Sequence, residues 1–408
     1  CAVDFVCRLL HLKIISLKKP LQIGLCNKAV LKDKGPLKAS EIAKVLGKTK
    51  KDLNPTLYAA LRELDGLMKS DKNVWSYEEH QLVKISFDSS SSWLSSLHVE
   101  KVLKEYPNLL TTKSDIEFHF PNKPIFLDCI LKILSLTNQL SLIGSKVALF
   151  FAENSGVFSY LDRCGFFDQV QPNVLISPYR PSESSAKKYN SNSEKLVEIF
   201  PIKEIYEGSE LPRLKSCISG ELSENENKVI LGKLSHLITE LITNIRDHGK
   251  SDLDGYVALQ TYNLAESKKI VVSVSDSGPG LLSTLRNEAS KLEKNKKIFE
   301  EFSFNDSSSD IDLLTYILNN GGISRIEMDG RGMGLERGSS KLKLIAEKDN
   351  GLESSNLHSI TLSIRQSDQE IIFPYMNGLL ISEEARKKTG LTFLQGTHFV
   401  LTIVLDKV

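Results

Sequence analysis

Three polar residues on one predicted helix have types and a spacing that suit chemistry. Glu240, Asn244 and His248 follow one another at intervals of four residues, so on a helix of about 3.6 residues per turn they lie along one stripe. The helix also has an apolar face, made by Leu237, Ile238, Leu241, Ile242 and Ile245. Three such polar groups on a largely buried helix are costly without partners. A bound nucleotide with its metal ion would supply those partners.

Three glycine-bearing segments follow this helix along the chain. They are Asp276-Ser-Gly278-Pro-Gly280 after a predicted strand, Gly330-Arg331-Gly332-Met333-Gly334 before a predicted helix, and Gly396-Thr397 before the last strand. An Asp at a strand end can accept a hydrogen bond from the amine of adenine, and neighbouring glycines let the backbone approach the base. A glycine loop that opens a helix exposes N–H groups to phosphate.

Two residues of the helix itself could bind the metal ion and accept a proton. The carboxamide of Asn244 is a suitable oxygen ligand for Mg²⁺, which takes few protein ligands together with phosphate oxygens and water. Glu240 lies one turn away and is a candidate general base for an attacking water or hydroxyl. Each segment alone also fits a plainer interpretation: a tight turn at Asp276, a solvated helix face, or a C-terminal histidine at the helix dipole. Their order and spacing together favour the nucleotide site.

As a set, these segments resemble the four motifs of the Bergerat-fold (GHKL) ATP-binding superfamily, and the resemblance covers residues 228–408. It implies an α/β sandwich with ATP held under a lid at about 281–329, in which Ser307–Ser309 is a flexible part. The strand pattern of this segment indicates an antiparallel or mixed sheet faced by helices on one side. By position, Asn244 would bind Mg²⁺, Asp276 would bind adenine and Thr397 would lie behind it. The other residues implied to contact the nucleotide are His248, Gly278, Gly280, Gly330, Arg331, Gly332, Met333 and Gly334.

The wording Glu-Leu-Ile-Thr-Asn-Ile-Arg-Asp-His-Gly at 240–249 is similar to the histidine kinases and the anti-sigma-factor serine kinases. A phosphoacceptor context is missing around His11, His80, His98 and His119, which disfavours a self-contained histidine kinase. We expect an ATP–Mg²⁺-binding regulator that hydrolyses ATP or transfers phosphate to a Ser/Thr of a protein partner, with Glu240 as the base. The alternatives are a nucleic-acid-associated ATPase of the gyrase/MutL type and a non-catalytic nucleotide sensor with a DNA-binding N-terminal domain.

Two further domains are predicted upstream. Residues 1–87 show the order helix, turn, helix, hairpin of a winged helix, and residues 1–77 hold 15 Lys/Arg against 7 Asp/Glu. DNA binding through residues 38–77 and a protein-contact or homodimer surface are both compatible with this. After a linker at 88–114, residues 115–220 alternate strand and helix. Phe158–Phe167 resembles a STAS-like domain there, although an ordinary packed helix fits nearly as well.

Composition sets broad limits. The 408 residues are 41% hydrophobic and 25% charged, with a net charge of +1, which gives no global attraction to nucleic acid or membrane. The six cysteines form no C-x-x-C pair and indicate free thiols in a reducing, cytoplasmic compartment. No apolar run is long enough to span a bilayer. The start at Cys1, without an initiator Met or a signal-peptide pattern, leaves open whether residues precede it.

Overall fold

The computed structural model of the chain describes residues 19–63, 67–77, 81–88, 90–111, 114–202, 210–222, 224–248, 251–287, 289–304, 306–320, 357–376 and 378–407. The chain forms two compact units, residues 1–81 and 82–408. No helix within the described ranges is both long and apolar enough to cross a membrane.

The first unit has a helix, a strand, two helices and a hairpin. Its elements are α1 (Lys19–Lys34), β1 (Leu37–Lys38), α2 (Ala39–Val45), α3 (Lys50–Glu63), β2 (Leu67–Lys69) and β3 (Val74–Tyr77). The strands form an antiparallel sheet in the order β1-β3-β2, and Trp75 lies in the core. Pro55 is a typical helix-starting residue, yet α3 begins earlier, at Lys50, because the Thr49 hydroxyl accepts the Asp52 N–H at 3.2 Å and supports the first turn.

The second unit begins with a small sheet and its helices. These are β4 (Gln81–Ser86), α4 (Ser96–Leu103), β5 (Ser114–His119), α5 (Leu127–Leu142), β6 (Val147–Phe150), α6 (Gly156–Arg163), α7 (Phe166–Gln169), β7 (Leu175–Ser177) and α8 (Ser185–Lys188). The sheet order is β4-β5-β6-β7, and β6 is parallel to both β5 and β7. The sequence Val157–Phe167 indicates a helix that Gly165 ends, and the structure agrees: α6 ends at Arg163, Gly165 adopts φ +86°, and the short α7 begins at Phe166.

The larger sheet follows. Its elements and helices are β8 (Leu196–Pro201), α9 (Glu210–Ser219), α10 (Glu224–His248), β9 (Tyr256–Asn263), β10 (Ser267–Ser275), α11 (Leu281–Asn287), α12 (Glu293–Glu301), α13 (Asp310–Asn320), β11 (Leu357–Ser367), β12 (Gln369–Met376), β13 (Leu379–Leu380), β14 (Arg386–Lys388) and β15 (Leu394–Asp406). The strand order is β13-β12-β11-β15-β10-β9-β8, with β14 beside β12. Every described pairing in this sheet is antiparallel, which is the first of the two alternatives, antiparallel or mixed, that the sequence indicated.

The expectation that helices cover one face of this sheet is wrong, because both faces are buried. Successive residues of β10 point to opposite faces. Ile270 and Val272 join a core that includes α10 residues, whereas Val271 joins a separate core that includes α5. α5 therefore lies between the two sheets, and 14 of its 16 residues are buried. A strand that is apolar on both faces requires cover on both sides.

The two compact units divide the chain differently from the three predicted domains. β8 falls within the predicted middle domain at 115–220, yet it pairs with β9 at the edge of the large sheet. The segment predicted as residues 228–408 is therefore continuous with the layer before it. The α/β class of the second unit agrees with the sequence, and residues 82–408 are joined by the β8–β9 pairing and by the core that α5 shares with both sheets.

Candidate functional site

Two predicted segments that lie far apart in sequence meet at the ends of two central strands. β10 and β15 are antiparallel, with Ser275 opposite His398, so Asp276 lies beside Thr397. The Asp276 N–H donates to the Thr397 carbonyl at 3.0 Å. The Thr397 N–H donates to the Asp276 carboxylate at 3.3 Å. The strand register thus unites the second and fourth predicted motifs.

The Asp276 carboxylate is held from two sides. One oxygen accepts the Thr397 N–H, and the other accepts the Gly278 N–H at 2.6 Å. The residue is 8% exposed and therefore largely desolvated. Backbone donors on both oxygens fix the orientation of this acceptor. A carboxylate fixed in this way is suited to recognising a further hydrogen-bond donor.

Two glycines allow these loops to approach each other. Gly396 adopts φ +88°, and a Cβ at this position would collide with the backbone oxygen of Asp276. Gly280 adopts φ +89°, and a Cβ there would lie 3.3 Å from the Gly396 carbonyl oxygen. Both conformations favour glycine. The sequence suggested that glycines beside Asp276 admit a base, and the structure adds that Gly280 and Gly396 let the two loops pack together.

Thr397 and Gln366 hold the start of α11. The Leu281 N–H donates to the Thr397 hydroxyl at 2.8 Å, and the Leu282 N–H donates to the Gln366 side-chain oxygen at 3.0 Å. These contacts satisfy two N–H groups in the first helical turn, which lack partners within the helix. Gln366 lies opposite Thr397 in the sheet. Gln366 was not predicted from the sequence, where its only signal is a polar residue near the end of an alternating strand.

The helix that carries Glu240 lies against the same strand end. Gly255 separates them: a Cβ there would be 2.6 Å from Cγ2 of Ile245 on α10 and 3.0 Å from the Ser275 carbonyl oxygen. Only glycine permits this approach without displacement. Gly255 was not predicted from the sequence either, although an Asp-Gly pair before a strand is a turn signal. The last turns of α10 are thereby positioned next to the strand end from which Asp276 follows.

Burial changes the acidity of the Glu240 carboxyl. It is partly buried, and burial raises the pKa of its carboxyl above the ordinary value, while His236, 3.9 Å away, opposes the shift. A carboxylate with a raised pKa accepts a proton more readily near neutral pH. Asn244 and His248 occupy helical backbone positions in α10, but their side chains lie outside the described part of the chain.

The phosphate-binding prediction also falls on residues outside the described ranges. This applies to Gly330, Arg331, Gly332, Met333 and Gly334. Among the residues that the structure does describe, no group of three or more His, Cys, Asp or Glu could hold a metal ion. The described cluster therefore comprises Asp276, its glycine turn, Gly396-Thr397 and the adjoining face of α10.

The described parts of the predicted lid, 281–287, 289–304 and 306–320, are mostly helical. Ser307–Ser309, predicted as a flexible part, form a 3₁₀ turn, and the Asp306 side chain accepts the Ser308 N–H at 2.8 Å. Asp310, which is 1% exposed, pairs with Arg286 at 2.5 Å and with Lys387 at 2.8 Å. These pairs join α13 to α11 and to β14. Residues 321–329 of the predicted lid lie outside the described ranges.

Comparison of the chain with protein-family models and with curated proteins gives no match.

Proposed function

We propose that the C-terminal part of the second unit binds ATP with Mg²⁺ in the manner of the GHKL superfamily and acts as a regulatory switch. In this function ATP is hydrolysed, or its phosphate is transferred to a Ser/Thr of a protein partner. The observation that carries the proposal is the convergence of Asp276, Gly280 and Gly396-Thr397 beside the helix of Glu240. The sequence motifs for nucleotide binding specify these residues, although they are up to 157 positions apart.

The described residues fit the base side of an adenine nucleotide. The oriented carboxylate of Asp276 is an acceptor, and the exocyclic amine of adenine is a donor. Guanine carries a carbonyl oxygen at the corresponding position, so two acceptors would face each other. A site built around this carboxylate should therefore select ATP over GTP, because an unpaired buried polar group is costly.

The proposed binding of the phosphates and of Mg²⁺ is based on the sequence motifs. Asn244 would hold Mg²⁺, and the segment Gly330–Gly334 would bind the phosphates through backbone N–H groups. When bound, the metal ion would neutralise charge on the phosphate oxygens. Glu240 would take the proton of the attacking water or hydroxyl, which its burial-raised pKa favours.

Calorimetric titration of the full chain with ATP and with GTP tests base recognition. We expect ATP to bind more tightly than GTP, and Asp276→Asn to lower ATP affinity by at least about tenfold, because one acceptor becomes a donor. Asp252→Asn, at an exposed aspartate outside the cluster, is the matched control. Equal affinity of the wild type for ATP and GTP, or no binding of either, would refute the proposal.

Incubation with γ-labelled ATP and Mg²⁺ tests the reaction. Free phosphate would indicate hydrolysis, and a labelled protein would indicate transfer. Glu240→Gln should reduce either product by at least about a hundredfold, because the amide cannot accept the proton, and should leave ATP affinity almost unchanged. Turnover that survives this change unaltered would show that Glu240 is not the base, and binding without any turnover would favour a nucleotide sensor.

We infer a second candidate function, nucleic-acid binding, for the first unit. Its order of elements, with two successive helices followed by a hairpin, is that of winged-helix proteins. Four lysines around the start of α3 are exposed: Lys44, Lys48, Lys50 and Lys51. Exposed lysines before a helix can contact phosphates.

Fluorescence anisotropy with a labelled DNA duplex of mixed sequence tests this function. Lys50→Gln/Lys51→Gln should weaken binding and flatten its dependence on salt concentration, because fewer counterions are released. Lys101→Gln/Lys104→Gln, at exposed lysines of the second unit, should leave binding unchanged. Equal losses in both double variants would contradict a specific role for the first unit.

A further inference from the structure

We propose that Gln139, on α5, is a positioning residue that joins the two loops on the adenine side of the nucleotide site. Its part in nucleotide binding rests on the function proposed above. α5 lies upstream of the segment that resembles an ATP-binding module, so no motif in that segment identifies it. With this role for Gln139, the layer formed by the small sheet and its helices is a structural wall of the site.

The Gln139 carboxamide makes three hydrogen bonds to these loops. Its amide nitrogen donates to the Ser277 hydroxyl at 3.0 Å and to the Gln395 carbonyl at 2.9 Å. Its oxygen accepts the Gln395 N–H at 3.1 Å. Ser277 directly follows Asp276, and Gln395 directly precedes Gly396. One side chain therefore connects the residue after Asp276 with the residue two positions before Thr397.

Gln139 ends a polar stripe along the face of α5 that meets the large sheet. Lys132, Ser135 and Gln139 are spaced i, i+3 and i+7, which places them on one side of the helix. The Ser135 hydroxyl lies 3.3 Å from the hydroxyl of Ser275, the last residue of β10. The stripe follows the sheet up to the candidate site.

The buried carboxamide of Gln139 limits the distance between the two loops. Gln139 is 2% exposed, and an apolar side chain of similar size would fit a helix whose other residues are largely apolar. A polar group buried here is tolerated because all its partners are present. These partners are loop backbone and a loop hydroxyl, so the bonds limit the distance between the loops. The same distance determines how the Asp276 carboxylate is held by the Thr397 N–H.

Two matched variants of the full chain separate positioning from general stability. Gln139→Met keeps the approximate size of the side chain and removes its three bonds. Asn138→Leu does the same at the neighbouring carboxamide, which is also buried and also makes three bonds, to Gln169, Gln171 and Tyr256. None of those three partners belongs to the loops at 276–281 and 395–397. Both variants should lose thermal stability to a similar degree.

Two measurements are made on each variant. In nucleotide-free protein, hydrogen–deuterium exchange of peptides that cover 276–281 and 394–398 should be about tenfold faster in Gln139→Met and unchanged in Asn138→Leu. In calorimetric titration with ATP, Gln139→Met should bind about tenfold more weakly than Asn138→Leu. Equal exchange in the two variants would overturn the positioning role.

The outcomes also separate this inference from the proposed function. If the wild type binds ATP and both variants bind it equally well, the role of Gln139 at the nucleotide site is overturned while ATP binding stands. If the wild type binds no ATP, the proposed function fails and the nucleotide role of Gln139 fails with it. The exchange measurement then still decides whether Gln139 fixes the loops.

Discussion

Gly396 shows how the absence of one side chain allows two distant motifs to meet. A Cβ on this residue would collide with the Asp276 backbone oxygen, and its φ of +88° is unfavourable for other residues. We expect Gly396→Ala to lower the free energy of unfolding by at least about 3 kcal/mol, from the strained backbone together with displaced strand ends. Chemical denaturation monitored by circular dichroism measures this change.

Gly390 provides the control, because it has φ +69° but no atom lies within 4 Å of the position that a Cβ would take. Gly390→Ala should cost only about 1–2 kcal/mol, the penalty of the left-handed conformation alone. Similar losses in the two variants would mean that the close contact with Asp276 contributes nothing. ATP affinity should fall in Gly396→Ala and remain at the wild-type value in Gly390→Ala.

At the scale of residues, the sequence identified those that belong to a motif but not those whose role depends on their contacts in the fold. Asp276 and Thr397 could be selected because each belongs to a motif with a recognisable order. Gly255, Gln366 and Gln139 could not, since their importance depends on strand register and on the approach of a helix. No local pattern distinguishes a glutamine that bridges two loops from one that faces solvent.

At the scale of elements, the predicted lid is anchored through one buried carboxylate. Asp310 pairs with Arg286 and Lys387 and also accepts a hydrogen bond from Gln369 at 2.9 Å. We expect Asp310→Asn to destabilise the protein by about 3 kcal/mol, because two cations lose their buried partner. Differential scanning calorimetry would report this as a lower melting temperature.

The exposed residue Asp312 lies on the same helix and serves as the comparison. Asp312→Asn should change the free energy of unfolding by less than about 0.5 kcal/mol. If both variants melt at the wild-type temperature, the ion pairs of Asp310 do not anchor the segment. Faster proteolysis within 281–320 in Asp310→Asn alone would locate the effect in the predicted lid.

Most long elements followed from their periodicity, whereas several strands did not. In the sequence, the apolar run at 126–142 indicates a helix and the segment 269–275 indicates a strand, both close to the observed bounds, because burial dominates their composition. β12 was missed, since Pro374 within a short run argues against a strand. β8 ends in Pro201 and lies in a segment that was assigned to another domain. β8 pairs with β9, which lies more than 50 residues further along the chain, and a local pattern does not encode this pairing.

Considered as a whole, the second unit is joined by a buried charge cluster between its layers. Glu100 on α4 pairs with Lys132 on α5 at 2.6 Å and with Arg365 on β11 at 3.0 Å. Burial alone would raise the pKa of Glu100, but the two cations outweigh it and lower the pKa below 4.5. Removing one partner would leave a buried charge unpaired. The cluster therefore favours one specific arrangement of the two sheets.

His398 faces the same cluster and makes stability depend on pH. Burial, together with Arg365 and Lys132, lowers the pKa of His398 from 6.5 to about 3, and Glu100 opposes this shift. Between these values the unfolded chain binds a proton that the folded protein does not bind. Stability should therefore fall as the pH decreases from 6.5 towards 3, by at most about 1.4 kcal/mol per pH unit from this group.

Urea denaturation of the wild type and His398→Met at several pH values between about 5 and 7 isolates this contribution. The wild type should lose more stability than the variant as the pH falls. Glu100 contributes separately at lower pH, because its stabilisation is present above its ordinary pKa of 4.5 and is lost as the pH falls through the lowered value. Parallel pH profiles would show that His398 is protonated equally in the folded and unfolded states.

The grouping of layers was the least predictable feature of the chain. Composition and periodicity indicated α/β structure, and the structure agrees. α5 packs against the second face of β10. In the sequence, the burial of that second face is visible only because the strand is a continuous apolar run. Polar residues within the apolar run of α5 also indicate that this helix contacts other layers: Lys132, Ser135 and Gln139. Their partners lie more than 30 residues away in the sequence, so the sequence alone does not identify them.

The burial of α5 between two sheets also turns one thiol into a chemical reporter. Cys129 on this helix is fully buried, and burial raises its pKa well above the ordinary value, so in the closed structure it is neither accessible nor ionised at neutral pH. Alkylation at this sulfur requires a transient opening of the structure around α5. The rate at which Cys129 becomes labelled would therefore measure how often this region opens, and a comparison with and without ATP would show whether a ligand at the strand ends stabilises it.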